Sequence, residues 1–245
     1  MRKGNLYKVE MYRFIHSFFM FVCMVTIFFA IIFLAVDNSE TLLGDGTQMG
    51  AINSTMKVVN LMIVFLVSAA AANYVGREFK QKTIHHEIMA GYSLWKICCA
   101  KAITCGICVS IMLQLCILLF FASFSGALRM YPVVHILFMF FILCHICTCA
   151  VLYVMLCRNG ALGGCLAFVR FTLLEVLILF SAELFVTPDV YNGCKALSVM
   201  SQWSAVTNTD LVISPVYRIS IIGGAVVEYI VLLVIIQLSS KRIDF

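Results

Sequence analysis

The chain has 245 residues, of which 63% are hydrophobic and only 12% charged, and its mean hydropathy is +1.04. That charged fraction is about half of what an ordinary soluble domain carries, so the composition excludes one and places the chain among polytopic membrane proteins. The formal net charge of +5 would suit an acidic partner, but the basic residues follow the membrane boundaries instead of interleaving with aromatics on one soluble face, which argues against nucleic acid.

In chain order, residues 2 to 13 mix basic and apolar side chains in a helical register, with Leu6, Val9, Tyr12 and Arg13 placed to lie on the membrane surface. A plain positive flank that orients the first span is the competing reading. Span 1 runs from Phe14 to Val36, too long for a signal-peptide core and without a small-x-small cleavage site. A glycine-bearing loop follows, then span 2 from Val58 to Val75, whose Ala69 to Ala72 run permits close backbone contact with a neighbour.

The stretch from Gly76 to Lys101 is the one long polar island with helical punctuation. Thr83 is placed to cap a short helix, Glu87 to sit early in it where the dipole favours an acid, and Gly91 to stop it. Ile84 and Ile88 are four apart and share one face. Ser93 is placed to cap the next helix, with Trp95 at the bilayer interface and Lys96 and Lys101 snorkelling back to water.

Span 3 is expected at about Ala102 to Phe124, span 4 at Val133 to Leu156, span 5 at Leu162 to Phe185 after a tight turn at Arg158-Asn159-Gly160, and span 6 at Ile219 to Leu238. The connection from Val186 to Arg218 has apolar residues at helical spacing around Leu197, Met200 and Trp203, which predicts a short helix dipping into the outer interface; an irregular loop anchored by Trp203 is the alternative. Lys and Arg gather in the leader, in the Gly76–Lys101 hairpin, at Arg158 and at Lys241 and Arg242. The positive-inside rule then puts both termini and the hairpin in the cytoplasm.

Three charges fall at membrane depth: Arg170 and Glu175 in span 5 and Glu228 in span 6, with His135 and His145 in span 4. Each charge there costs about 2.5 to 3.5 kcal/mol on insertion scales and therefore faces protein or a wet cavity. Arg170 and Glu228 approach a similar depth from opposite directions, which predicts that they meet between the two spans. Arg170 and Glu175 are five apart, roughly 140° around an α-helix, so each is expected to need a different neighbour. Such charges either line a pathway or fix packing.

No catalytic constellation stands out. His86-Glu87 starts a zinc-protease pattern, but position 90 is Ala90, and Ser123 to Gly126 lacks the Gly that opens a nucleophile elbow. The run Cys144-His145-Ile146-Cys147-Thr148-Cys149 is read as helix packing and not as a metal site, since neighbours one or two apart do not share a face. Most of the 12 cysteines lie in or beside apolar spans, which speaks against a disulfide scaffold. No P-loop pattern is present.

Glu78, Thr83-Ile84, Gly91-Tyr92-Ser93 and Lys101, in that order and spacing, resemble the first cytoplasmic loop of ABC-2 type permeases, the membrane subunits of ATP-driven exporters. Leu6 to Arg13 resembles the surface connecting helix that opens those permeases. The resemblance implies an all-α integral membrane protein of six spans, N-in and C-in, in a single domain. It gives Glu78, Thr83, Ile84, Glu87, Ile88, Gly91 and Ser93 to a coupling helix that docks on a separate ATPase. It further implies a cytoplasmic ATPase dimer holding ATP and Mg, no cofactor in this chain, and a second permease copy or homologue in a bacterial plasma membrane. The substrate implied is an amphipathic or hydrophobic molecule such as an antimicrobial peptide, a drug or a lipid-linked glycan. A membrane receptor or scaffold without transport activity is the alternative from another class.

Overall fold

The computed structural model describes residues 6–16, 48–123, 132–207 and 213–240, together with positions 22, 25, 26, 28, 29 and 33. Among these residues all regular structure is helical: α1 Leu6–Ile15, α2 Gln48–Lys80, α3 Thr83–Met89, α4 Leu94–Ser123, α5 Val133–Cys157, α6 Gly160–Val169, a π turn Arg170–Leu174, α7 Glu175–Phe185, α8 Pro188–Leu197, α9 Val199–Thr207 and α10 Pro215–Ser240. Five segments are long and apolar enough to cross a bilayer: Val58–Lys80, Leu94–Leu119, Val133–Cys157, Gly160–Phe185 and Pro215–Ser239. The chain is therefore a multi-pass membrane protein. Most of the expected span 1, from Phe14 to Val36, lies outside the described residues.

Helix α5 is the centre, packed against α2, α4, α6, α9 and α10. Its Met139, Ile142, Ile146 and Ala150 have no exposed surface, and neither do Leu143 and Cys149 on the flanking side. With lipid outside as apolar as the core, contact between helices depends on close packing more than on water exclusion. That requirement is clearest where α6 crosses α2: a Cβ on Gly160 would stand 2.3 Å from the Ala72 carbonyl oxygen and 2.9 Å from Gly76 Cα. The α5–α6 turn is made by Arg158 at φ 51°, and Asn159 Oδ1 accepts from Leu162 N at 3.3 Å to cap α6.

Several boundaries move. The expected span 3 begins at Ala102, but α4 starts at Leu94, so Lys101 lies inside the helix and has no exposed surface instead of snorkelling. Thr83 does not cap α3: Lys82, in the left-handed region at φ 55°, holds that position without a side-chain bond, and Thr83 is the first helical residue. Glu87 is the fifth residue of seven, too far along for the dipole to favour it. Gly91 does stop the helix, at φ +87°. The connection before α10 folds as two helices, α8 and α9, and Trp203 is not an interface anchor but buried, donating from Nε1 to the Met56 carbonyl at 2.9 Å.

Candidate functional site

Two polar groups stand out, one at the hairpin and one in the spans. At the hairpin, Leu6, Glu10 and Phe14 form the buried stripe of α1, so the only acid in the leader is carried inward with its apolar neighbours. Lys101 Nζ on α4 lies 2.8 Å from Glu10 Oε1 and 3.5 Å from Glu87 Oε2, and pairs directly with Glu78. Arg13 on α1 lies 3.0 Å from Glu10 and 3.5 Å from Glu78, and bonds to Glu87. Tyr74 on α2 donates to Glu10 Oε2 at 3.0 Å. Burial pulls the Arg13 guanidinium down, but its hydrogen bond to Glu87 and the charges of all three acids outweigh this and hold it above its ordinary value.

Each cation thus serves three carboxylates drawn from three helices, and α1, α2, α3 and α4 are joined at one point. Among the residues picked from sequence, Glu78 and Glu87 belong to this cluster, and Ile84 is buried beside it. Ile88 is half-buried and packed on the core. Thr83 is half-buried, while Gly91 and Ser93 are exposed. Glu10, Arg13, Tyr74 and Lys101 were missed as partners; the one hint was an acid set at i+4 from Leu6 and i−4 from Phe14 in a basic leader. The other side of α3 presents His86, Met89 and Ala90, with Met89 73% exposed.

Within the spans, Arg170 Nη2 donates to Glu228 Oε2 at 2.9 Å, so the two charges meet as their depths predict. The expectation for Glu175 fails: Arg170 Nη1 reaches Glu175 Oε1 at 3.2 Å. The π turn between them is the reason. Its bonds run i to i+5, so residues five apart stack as residues four apart do in an α-helix. Glu175 also accepts from Val199 N and Met200 N, each at 3.0 Å, and from Ser198 Oγ at 2.8 Å. It is an anionic cap on α9 supplied from another helix, placed where the helix dipole favours it.

Glu228 takes two further donors from α5, Tyr153 Oη at 3.0 Å to Oε1 and His145 Nε2 at 3.2 Å to Oε2. His145 and Cys149 are four apart and share a face, and with Glu228 they bring ligand atoms within 4.8 Å of one another. A metal ion there would have to break the His145 and Arg170 bonds to Glu228 Oε2, so the arrangement reads as a hydrogen-bonded network. Arg170, Tyr153, His145 and Glu228 line a cleft of about 970 Å³ between α5, α8 and α10, whose other walls are apolar apart from Ser220; its α10 wall runs from Val216 to Ile235, so Glu228 stands part-way along it.

No protein-family model matches the chain, and no curated protein matches it. What the fold and sites define is the class: among the described residues, an all-helical multi-pass membrane protein with a charge-braced hairpin and a mostly apolar cleft that holds one polar group among its spans.

Proposed function

We propose that the chain is the permease subunit of an ABC-2 type exporter, driven by a separate ATPase at the cytoplasmic hairpin. The observation that carries this reading is α3, a seven-residue helix braced from behind by Arg13 and Lys101 and open on its His86, Met89 and Ala90 side. Separating either cation from its carboxylates leaves buried charge unpaired, which is costly, so a push on α3 passes to α1, α2 and α4 together. In this reading Glu78, Ile84 and Glu87 brace the coupling helix from within, and a partner touches the opposite face. The pathway lies between this permease and a second copy or homologue, and the cargo is an amphipathic or hydrophobic molecule.

The test is a photo-crosslinking amino acid placed at Met89 or, separately, at Ile84, in cells of the source organism. The reading expects position 89 to crosslink to a P-loop ATPase that copurifies with the chain, and position 84 to crosslink within the chain only. A chain that purifies from those cells with no nucleotide-hydrolysing subunit overturns it, and is the outcome a receptor or scaffold gives.

A further inference from the structure

A groove of about 570 Å³ lies between α1 and α4. Its α1 wall carries Tyr7, Lys8, Met11 and Tyr12, and its α4 wall Ile103 and Ile107; the helices touch there, with Cys108 Sγ 3.4 Å from Met11 Sδ. Beyond the groove the apolar surface continues. Ile103, Ile107, Ile111 and Leu115 are spaced by four, 37 to 55% exposed, and form one ridge about 18 Å long on the spanning helix. Lys8, in the first turn of α1, is the one charge on the groove's walls. Every acid among the described residues of α1 to α4 is buried, since Glu10, Glu78 and Glu87 are all gathered around Arg13 and Lys101. Lys8 and Glu10 are two apart, about 160° around the helix. The lysine is therefore exposed on the opposite side of α1 and makes no ion pair among the described residues.

We propose that this groove holds an anionic phospholipid, with its phosphate at Lys8 and one acyl chain in the groove and along the Ile103 to Leu115 ridge. Lys8 supplies the counter-charge. Tyr7 and Tyr12, 48% and 65% exposed, supply O–H donors for phosphate or glycerol oxygens, and tyrosine is a residue that the polar boundary of a bilayer favours. A choline head brings a cation that is repelled by Lys8 and finds no exposed carboxylate on α1 to α4, so a head group with net negative charge is preferred. A soluble anion would leave the apolar walls and the ridge bare, whereas a lipid covers both. Such a site belongs to the seat of the chain in its bilayer and is independent of the export reading.

The experiment titrates the full chain in detergent with phosphatidylglycerol or with phosphatidylcholine of the same acyl chains, and native mass spectrometry reads the affinity of the first lipid bound. Phosphatidylglycerol is expected to bind about fivefold more tightly, which at about 1.4 kcal/mol per tenfold is the roughly 1 kcal/mol that one cation contributes beside an anionic head group. The preference should disappear in Lys8→Gln, and Ile107→Trp, which fills the groove, should weaken both lipids several-fold. Lys80→Gln, which removes an exposed cation outside the groove, and Leu137→Trp, which adds bulk at a half-exposed position on α5, should bind as wild type does. A photo-crosslinking amino acid at Ile107 in whole membranes should give an adduct of phospholipid mass. Equal wild-type affinity for the two lipids, equal loss of preference in Lys8→Gln and Lys80→Gln, which marks a diffuse basic surface, or a photo-adduct with a second copy of the chain in place of a lipid overturns the proposal.

Discussion

Lys101 Nζ lies 2.8 Å from Glu10 Oε1, across 91 positions of chain, and neither side chain has any exposed surface. The pair ties α1 to the opening turns of a spanning helix, and two more carboxylates converge on the same ammonium. Lys101→Met leaves Glu10, Glu78 and Glu87 with Arg13 alone, and the expected loss is about 3 to 5 kcal/mol. Fluorescence-detected size exclusion should show most of the variant lost from the monodisperse peak, with partial recovery when Glu10→Gln is added. By the same logic Glu78→Lys, a change that looks harmless to insertion from sequence alone, should lower the folded amount, because it sets a third cation among two remaining acids. Wild-type recovery of both variants would remove the cluster from its bracing role.

Arg170→Met and Glu228→Gln should not add. Removing Arg170 takes the guanidinium from Glu228, which keeps Tyr153 and His145, and weakens Glu175, which keeps its α9 donors; removing the Glu228 charge leaves Arg170 with Glu175. The double variant should be more stable than the sum of the singles predicts, by about 0.5 to 3 kcal/mol. Thermal midpoints of the four proteins in detergent measure the difference, and strict additivity would mean that the 2.9 Å contact does not hold the spans.

Gly160→Leu places side-chain atoms where the Ala72 carbonyl and Gly76 Cα already stand. Both obstacles are backbone, so α2 and α6 must separate; an overpacking cost of about 1 to 3 kcal/mol is the expected minimum. Gly193→Ala, with nothing within 4 Å of its added Cβ, should be neutral or raise the midpoint slightly through helix propensity. The contrast between the two glycines is the measurement.

Gly91→Val tests the hairpin without touching its charges. A Cβ there meets no neighbour, so the penalty is conformational: φ +87° costs a β-branched residue about 1 to 2 kcal/mol. The folded amount should stay near wild type, and under the proposed export reading transport in cells falls several-fold, because the exit of α3 is re-aimed. Unchanged export would separate α3 from the coupling role.

The spans described here were legible because apolar run length needs no tertiary knowledge: Val133–Cys157 matches its expected end to within a residue. The failures share one cause, polar residues whose partners are far away in sequence. Lys101 read as a boundary because a lone lysine belongs at one, and only Glu10, Glu78 and Glu87 make its burial tolerable. Glu10 itself looked like one polar residue on a surface helix. The meeting of Arg170 with Glu228 could be read from depth alone, since antiparallel neighbours at equal depth have few alternatives. The π turn could not, because Arg-Phe-Thr-Leu-Leu carries no local mark of it; the two ends of the segment are held in different phases by α2 and by α9.

That last fact gives the π turn a use as a phase adjuster. Gly160 and Gly164 fix the rotation of α6 against Ser68, Ala72 and Gly76, while Glu175 fixes α7 by reaching the amides that open α9. A continuous α-helix cannot serve both settings, and one surplus residue per turn reconciles them. Deleting a single residue between Phe171 and Leu174 would restore regular winding and preserve hydropathy. Such a deletion would leave Glu175 facing the amides that open α9, whereas winding all five residues of the segment as a regular α-helix would rotate everything beyond them by roughly 100° and turn that cap away.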